Sequence, residues 1–582
     1  MNRHRSFERL LTIASLATAL FATAAPAQQV RLRSMLQTRS STDRIIVKLR
    51  SGYRSEALRN QPVRAMAADR ASALSRTAGI ALRAVRPMSD DAQVVALPQA
   101  MRNESVQAVV ARLRLDPTVE YAYVDAREHL AAIPNDPLFA QQTYLEAPGV
   151  APLAASINAP SAWDITKGTS AARIAIVDGG VRFDHPDLAG RLVGGYDFVS
   201  ADCTIGDSGC TTANQFTTAN DGDGRDPDAS DPGDWVGNGA SSNPFLSGCS
   251  VETSSWHGTH IAGIIGAVGN NGLGVTGLNW NATMVPIRVA GRCGGYRSDV
   301  VDGLRWSAGL SVPNVPTNPN PAKIINISLG SAGTCATSAY NQTVIDVLAT
   351  GAIIVAAAGN EDATPILPSS CPGVISVGAV RGDGTRAVYS NSGSGLTIMA
   401  PGGDYTSATN DRLLSTDNAG TTTPVPYTMA GFYASGAGTS FSTPVVSGVV
   451  SLMLSANPNL TSTQVIDVLR TTARAFTSVA GYATCVPGGG NNANNTTPCN
   501  CTTAACGAGY VDANAAVTRA FALAGGVSPN APVAAPVVAA SPAAGTSSSG
   551  GGGGSVDPTA LLILGFIGVA TRGLRIADAE SR

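Results

Sequence analysis

The sequence has 582 residues, a formal net charge of −2 and only 14% charged residues. This length is too great for one small domain and ample for a core that buries a large share of its surface. The charge balance excludes both the basic excess that suits nucleic acid and an acidic solvating tail. Aromatic residues make up 5% while Gly numbers 63, a composition that suits an α/β protein with close packing and tight turns, though other folds share it.

Arg3, Arg5 and Arg9 precede an apolar run over 10 to 25, and Ala25-Pro26-Ala27 follows with small residues where a signal peptidase reads. The pattern predicts a secretory signal at 1–27, cleaved before Gln28 and too short to span a bilayer. The next stretch, from 42 to 130, reads as a small α+β unit. Strands are expected over 44–49, 92–97 and 119–124. A helix is expected over 105–115, where Val106, Val109, Val110, Leu113 and Leu115 recur at helical spacing before Asp116-Pro117 stops it. Residues 131–145, with Pro134-Asn135-Asp136-Pro137, read as a linker.

The pattern then changes. Short apolar runs at 173–177, 284–289, 323–327 and 352–357 alternate with helical stretches such as 258–268 and 343–350. Near-continuous apolar strands between helices predict a parallel sheet covered on both faces, with the working site at the carboxyl ends of the strands. All ten cysteines lie between Cys203 and Cys506, an even number in one part of the chain. This favours disulfides in an oxidising compartment over a zinc site, since no Cys-x-x-Cys pair occurs. From 525 to 554 the chain is rich in Ala, Pro and Val, then Ser and Gly, as a flexible linker would be. A short apolar run at 560–570 ends it, with Arg572 and Arg575 behind, and is too short to span a full bilayer.

Three segments carry chemistry: Asp178-Gly179-Gly180-Val181, Trp256-His257-Gly258-Thr259-His260, and Gly438-Thr439-Ser440-Phe441-Ser442-Thr443-Pro444. A serine hydroxyl needs a neighbouring imidazole to take its proton, and the imidazole needs a carboxylate to fix its tautomer. An Asp, a His and a Ser occur in that order, each beside glycines that allow tight turns. Alone, His257 would read as a buried histidine and Ser440 as a helix cap. A fourth segment, Ala356-Ala357-Ala358-Gly359-Asn360, follows an expected strand.

Together these blocks, over roughly 157–523, resemble the subtilase family of subtilisin-like serine peptidases. The resemblance implies a three-layer α/β/α domain with a mainly parallel sheet over 134–523, preceded by an inhibitory and templating propeptide over 28–133. It is followed by a linker at 524–555 and a tail at 556–582. The tail is similar to bacterial sorting signals that give a transient surface or membrane association. The resemblance makes Asp178 the orienting carboxylate, His257 the general base, Ser440 the nucleophile and Asn360 the oxyanion donor, with His260 as support on the same helix. Gly179-Gly180 and Phe441-Ser442 depart from the commoner family residues without removing a catalytic group. Ser328, Leu329 and Gly330 would form one wall of the first specificity pocket, and Ala357, Ala358 and Gly359 the other. Glu361 and Asp362 would sit at its rim and favour a basic side chain.

The resemblance also implies structural calcium. Asp187, Asn271, Leu273 and Val275, with the Gly269 carbonyl, form one expected site. Asp221, Asp223, Asp226 and Asp228 in the Gly-rich acidic loop form another. Secreted relatives suggest the pairs Cys249–Cys293 and Cys335–Cys371, and Cys203–Cys210 would close a small loop. Cys485, Cys499, Cys501 and Cys506 pair among themselves in one of three ways. The expected function is a secreted, autoprocessed endopeptidase of broad specificity, acting as a monomer on proteins and peptides, restrained by its own propeptide and with no nucleic-acid partner. A narrow processing protease and a silent binding module are the alternatives.

Overall fold

The structure, a computed structural model, describes residues 41–50, 68–89, 92–125, 133–149, 153–406, 411–427, 433–489 and 497–525. The expected signal at 1–27, the tail at 556–582 and all but the first two residues of the expected linker at 524–555 lie outside the described residues. Within the N-terminal stretch, β1 (Ser41–Leu49), α1 (Ala68–Ala78), β2 (Arg83–Pro87), β3 (Gln93–Arg102), α2 (Asn103–Arg114) and β4 (Val119–Val124) form a four-stranded antiparallel sheet ordered β2-β3-β1-β4. Ile45, Val47, Val95 and Leu97 bury one face against Val106, Val109, Val110 and Leu113 of α2. These are the positions that helical and strand periodicity put on single faces.

The second body begins at 133. Its elements are α3 (Ala159–Trp163), β5 (Ile174–Asp178), β6 (Tyr196–Asp197), α4 (His257–Gly266), β7 (Met284–Arg288), α5 (Arg297–Ser307), β8 (Ile324–Ile327), α6 (Tyr340–Ala349), β9 (Ile353–Ala357), β10 (Ile375–Val380) and β11 (Ile398–Pro401). There follow β12 (Leu413–Thr416), β13 (Tyr433–Gly436), α7 (Thr439–Ala456), α8 (Ser462–Thr471), α9 (Thr503–Cys506) and α10 (Ala513–Leu523). Seven strands make one parallel sheet in the order β11-β10-β9-β8-β5-β7-β6. Every residue of β5, β7, β8 and β9 is buried, so these runs are nearly continuously apolar rather than alternating, with Asp178, Arg288 and Asn326 as buried polar exceptions.

Alternate strand residues face two cores. Ile174, Ile176, Ile324 and Val355 pack with Ile261, Ile265, Val445, Val449 and Val450 of α4 and α7. Ala175, Val177, Ile325 and Ile354 pack on the other side with Val300, Leu304, Val344 and Val347 of α5 and α6. The result is a three-layer α/β/α body. The order turns back at β5, so the carboxyl ends of β5, β8 and β9 open together at a topological switch point. Residues 133–145, expected as a linker, are docked instead. Leu138 N–H bonds the Gly274 carbonyl (2.8 Å), Asp136 accepts from Asn270 N–H (2.7 Å), and Tyr144 and Leu145 are buried. The segment is short and polar, and its order comes from contacts more than a hundred residues away, which local periodicity does not reveal.

The ten cysteines form five disulfides: Cys203–Cys210, Cys249–Cys293, Cys335–Cys371, Cys485–Cys499 and Cys501–Cys506. The last two resolve the pairing that spacing left open.

Candidate active site

Asp178 is the last residue of β5, and Gly179 N–H donates to its Oδ1 (2.8 Å). His257 opens α4, and its Nδ1 faces both carboxylate oxygens, at 2.8 Å to Oδ1 and 3.0 Å to Oδ2. Gly258 makes this approach possible: a Cβ there would run into the Gly180 carbonyl oxygen and lie 3.2 Å from Asp178 Cβ. The Asp178 side chain is 4% exposed and that of His257 27%, so the carboxylate is shielded while the imidazole stays reachable. Burial disfavours the imidazolium, but the Asp178 charge and hydrogen bond outweigh it and raise His257 above its ordinary value.

Ser440 is the second residue of α7, where the first backbone N–H groups have no partner within the helix. Pro444 lies four residues on and has no N–H to give back to the Ser440 carbonyl. Ser328 Oγ donates to that carbonyl instead (2.8 Å), and Ser440 Oγ donates to the Ser328 carbonyl (2.8 Å). Among the described residues no hydrogen bond joins Ser440 Oγ to His257. Their neighbourhood is marked by Phe441, whose ring lies 5.4 Å from the His257 ring and 4.6 Å from that of His260. Such bonds often tighten only when substrate is bound. His260 is buried, with Nε2 at 3.0 Å from the Leu413 carbonyl.

Asn360 lies three residues beyond β9. Its Oδ1 accepts from both the N–H and the Oγ1 of Thr439, each at 2.9 Å. This fixes which end of the amide is which, so Nδ2 remains a donor beside the nucleophile's helix. Sequence reasoning did not single out Thr439 for this, although it immediately precedes Ser440.

Ser328–Gly330 and Ala357–Gly359 leave the neighbouring strands β8 and β9 as two walls. A Cβ on Gly330 or on Gly359 would meet Ile366 Cδ1, at 2.8 Å and 3.0 Å, so the Ile366 side chain lies between the walls. Ile366 was not foreseen, since nothing in its local sequence marks it. Glu361 is exposed, and its carboxylate accepts from Asn391 Nδ2 (2.7 Å) beside Gly359. Asp362 does not serve the rim as expected. It is buried and paired with Arg386 Nη2 at 2.6 Å, its charge spent on that cation.

The side-chain oxygens of Asp187 and Asn271, in the first expected calcium set, are engaged by hydrogen-bond donors. Asp187 is fully buried, but its oxygens accept from Asn271 Nδ2 (2.9 Å), Val275 N–H (3.0 Å) and the Tyr433 hydroxyl (3.3 Å). Asn271 thus turns nitrogen toward Asp187, while its oxygen takes the Leu273 N–H. Calcium needs several open oxygens, and this cluster offers hydrogen-bond donors. In the acidic loop Asp221 is committed to Arg288, while Asp226 and Asp228 cap their own turns through the N–H groups of Asp228 and Ser230. Asp223 N–H donates to Asp221 Oδ1 (3.3 Å). Among the described residues the one group of three potential ligands within 4.8 Å is Cys485, Cys501 and Cys506, all in disulfides.

The Subtilase family model matches residues 169–539. The extracellular protease of Xanthomonas campestris pv. campestris is 36% identical over 445 residues, covering 76% of this chain and 66% of that protein. The extracellular basic protease of Dichelobacter nodosus is 36% identical over 473 residues, covering 79% and 68%. The chain therefore spans about two thirds of the length of these curated relatives. Among solved structures, that of a protease from Pseudoalteromonas arctica PAMC 21717 is 38% identical, covers 66% of this chain and 99% of that one, and superposes with a TM-score of 0.55. The chain belongs to the subtilase family, the subtilisin-like serine endopeptidases.

Proposed function

We propose that this subtilase is a secreted endopeptidase, made as a precursor, that cleaves proteins through an acyl-enzyme formed on Ser440. The observation that carries the reading is the grip of Asp178 on His257 Nδ1 through both carboxylate oxygens. It holds the proton on Nδ1 and leaves the Nε2 lone pair free. Nε2 takes the Ser440 proton as Oγ leaves the Ser328 carbonyl and attacks the scissile carbonyl carbon. The carbonyl oxygen becomes an anion, which the Ser440 N–H at the start of α7 and Asn360 Nδ2 stabilise. The imidazolium then protonates the leaving amine, and water repeats the sequence on the ester.

The substrate backbone would run extended along the 328–330 edge, with one side chain between the two walls. Ile366, packed against Gly330 and Gly359, makes that slot apolar, and Glu361 lets it take a basic tip as well. Such a slot supports broad specificity. The cysteine-free unit at 41–124 would be the propeptide, removed by cleavage between it and the docked segment that starts at 133. The extracellular naming of the relatives supports export, and the mature enzyme would act as a monomer.

The test is expression of Ser440→Ala in a host lacking other secreted proteases. The variant is expected to accumulate with the N-terminal unit attached, whereas the wild type matures. Maturation of the variant to the wild-type N-terminus would overturn self-processing.

A further inference from the structure

We infer that the disulfide-closed C-terminal segment is a specificity element: through Asn391 and Arg386 it holds Glu361 and the 359–363 wall of the substrate pocket. The inference rests on the pocket proposed above and adds to Glu361 residues, Asn391 and Arg386 among them, that act on substrate only through that wall.

Asn391 is fully buried and spends its whole amide on this wall. Its Oδ1 accepts from the N–H of Glu361 (3.0 Å) and of Ala363 (2.8 Å). Its Nδ2 donates to the Ala358 carbonyl (2.9 Å) and to Glu361 Oε2 (2.7 Å), and its own N–H bonds the Gly359 carbonyl (3.0 Å). One side chain thus fixes both the backbone of the wall and the direction of its only exposed carboxylate. Arg386, 1% exposed, continues the support. It pairs with Asp362 (2.6 Å), donates through Nη1 to the Ser390 carbonyl, and sends Nε to Cys499 Sγ (3.3 Å).

The disulfide segment closes the other side. Arg386 N–H bonds the Cys499 carbonyl (2.9 Å), and Gly488 N–H bonds the Ser392 carbonyl (3.1 Å). Gly489 N–H reaches Ser392 Oγ (3.2 Å), which in turn donates to the Val486 carbonyl (3.3 Å). Gly489, with φ of +82°, lies so close to Asp362 that a Cβ would enter its carbonyl oxygen. Cys485–Cys499 ties the two strands of this support together. The contacts form a continuous path from disulfide to pocket, and none of them touches Asp178, His257 or Ser440. Loosening the path moves Glu361 without moving the triad. The expected signature is a change in preference: Asn360 lies within the same wall, between Gly359 and Glu361, so any slackening of that donor lowers kcat for every substrate alike and cancels in a ratio of two substrates.

The experiment uses the mature full-length enzyme, with active sites counted by a fluorophosphonate so that only folded, competent molecules enter the rates. Peptides with Lys or Phe on the acyl side of the scissile bond give a Lys/Phe ratio of kcat/KM. Glu361→Gln is the reference and should lower the ratio. Asn391→Ser, and separately the double variant Cys485→Ser with Cys499→Ser, should lower it roughly fivefold, the scale of one lost charge-assisted contact. Neither should lower it further in the Glu361→Gln background. If Glu361→Gln lowers the ratio while Asn391→Ser and the cysteine pair do not, the pocket reading stands and this inference falls. The same holds if their effects persist undiminished in the Glu361→Gln background. If Glu361→Gln itself leaves the ratio unchanged, the pocket reading fails and the inference goes with it. The cysteine pair keeps the test decisive should Asn391→Ser yield no titratable enzyme.

Discussion

His257 can take a proton only when neutral, so its contacts with Asp178 set the pH range of activity. The folded pKa lies above the ordinary 6.5, against the pull of burial, because the carboxylate favours the charged ring. The stabilising contribution of the pair is therefore fully present below about pH 6.5 and is lost as pH rises through the folded value. Activity runs the other way: the acid limb of kcat/KM should lie above 6.5. In Asp178→Asn the limb should move to lower pH and kcat should fall by roughly 10⁴, as a misdirected tautomer predicts. A limb unchanged by that substitution would mean that another group titrates. Asn360→Ala should lower kcat by roughly 10²–10³, the loss known for this donor in subtilisin, with KM nearly unchanged. An equal rise in KM would mean that Asn360 binds substrate rather than the oxyanion.

At this scale the sequence was informative where residues act beside their own glycines. Asp178, His257 and Ser440 sit in short blocks whose chemistry is visible locally. The residues that aim them are not visible in that way. Ser328 reaches Ser440 across 112 positions and Thr439 reaches Asn360 across 79. Asn391 holds Glu361 across 30. Only the fold brings them together.

The elements explain why these contacts are possible. Helix α4 meets the loop after β5 with no room for a methyl group at Gly258. Gly258→Ala should push α4 away from Asp178, at a stability cost of about 1–3 kcal/mol, and should lower kcat by opening the His257 contact. Denaturant unfolding and kcat together check this, and unchanged values of both would show that the interface gives way freely. Helix α7 passes through the core with almost all its residues buried. Among the described residues it alone is long and apolar enough to cross a membrane, yet 83% of that window is packed inside the protein. In the seven-stranded sheet, the strands legible in advance were the apolar runs of β5, β7, β8 and β9. Strands β10 and β11 escaped because Gly378 and Pro401 interrupt their apolar pattern, and it is parallel pairing, not local propensity, that extends them. The pattern also hid the 133–145 segment, whose 3₁₀ turns are held by partners at 270–276.

At the scale of the molecule, the chemistry and the covalent bracing lie in the same body. Every cysteine belongs to the subtilase region, and none to the four-stranded unit before it. On the proposed reading of that unit as a propeptide, cut away after templating a slowly folding parallel sheet, it would have no need of such bracing. The disulfides instead secure loops around the sheet and, at Cys485–Cys499, the pocket support. All of this matters only if Ser440 is the nucleophile, so the most direct measurement is labelling of the processed protein with a fluorophosphonate, beside casein hydrolysis. Ser440→Ala, matured in trans and confirmed folded, serves as the control. The wild type should label stoichiometrically on Ser440 and cleave casein, and the variant should do neither. A folded, processed wild type that neither labels nor cleaves, or a variant that still does both, would contradict a triad of Asp178, His257 and Ser440.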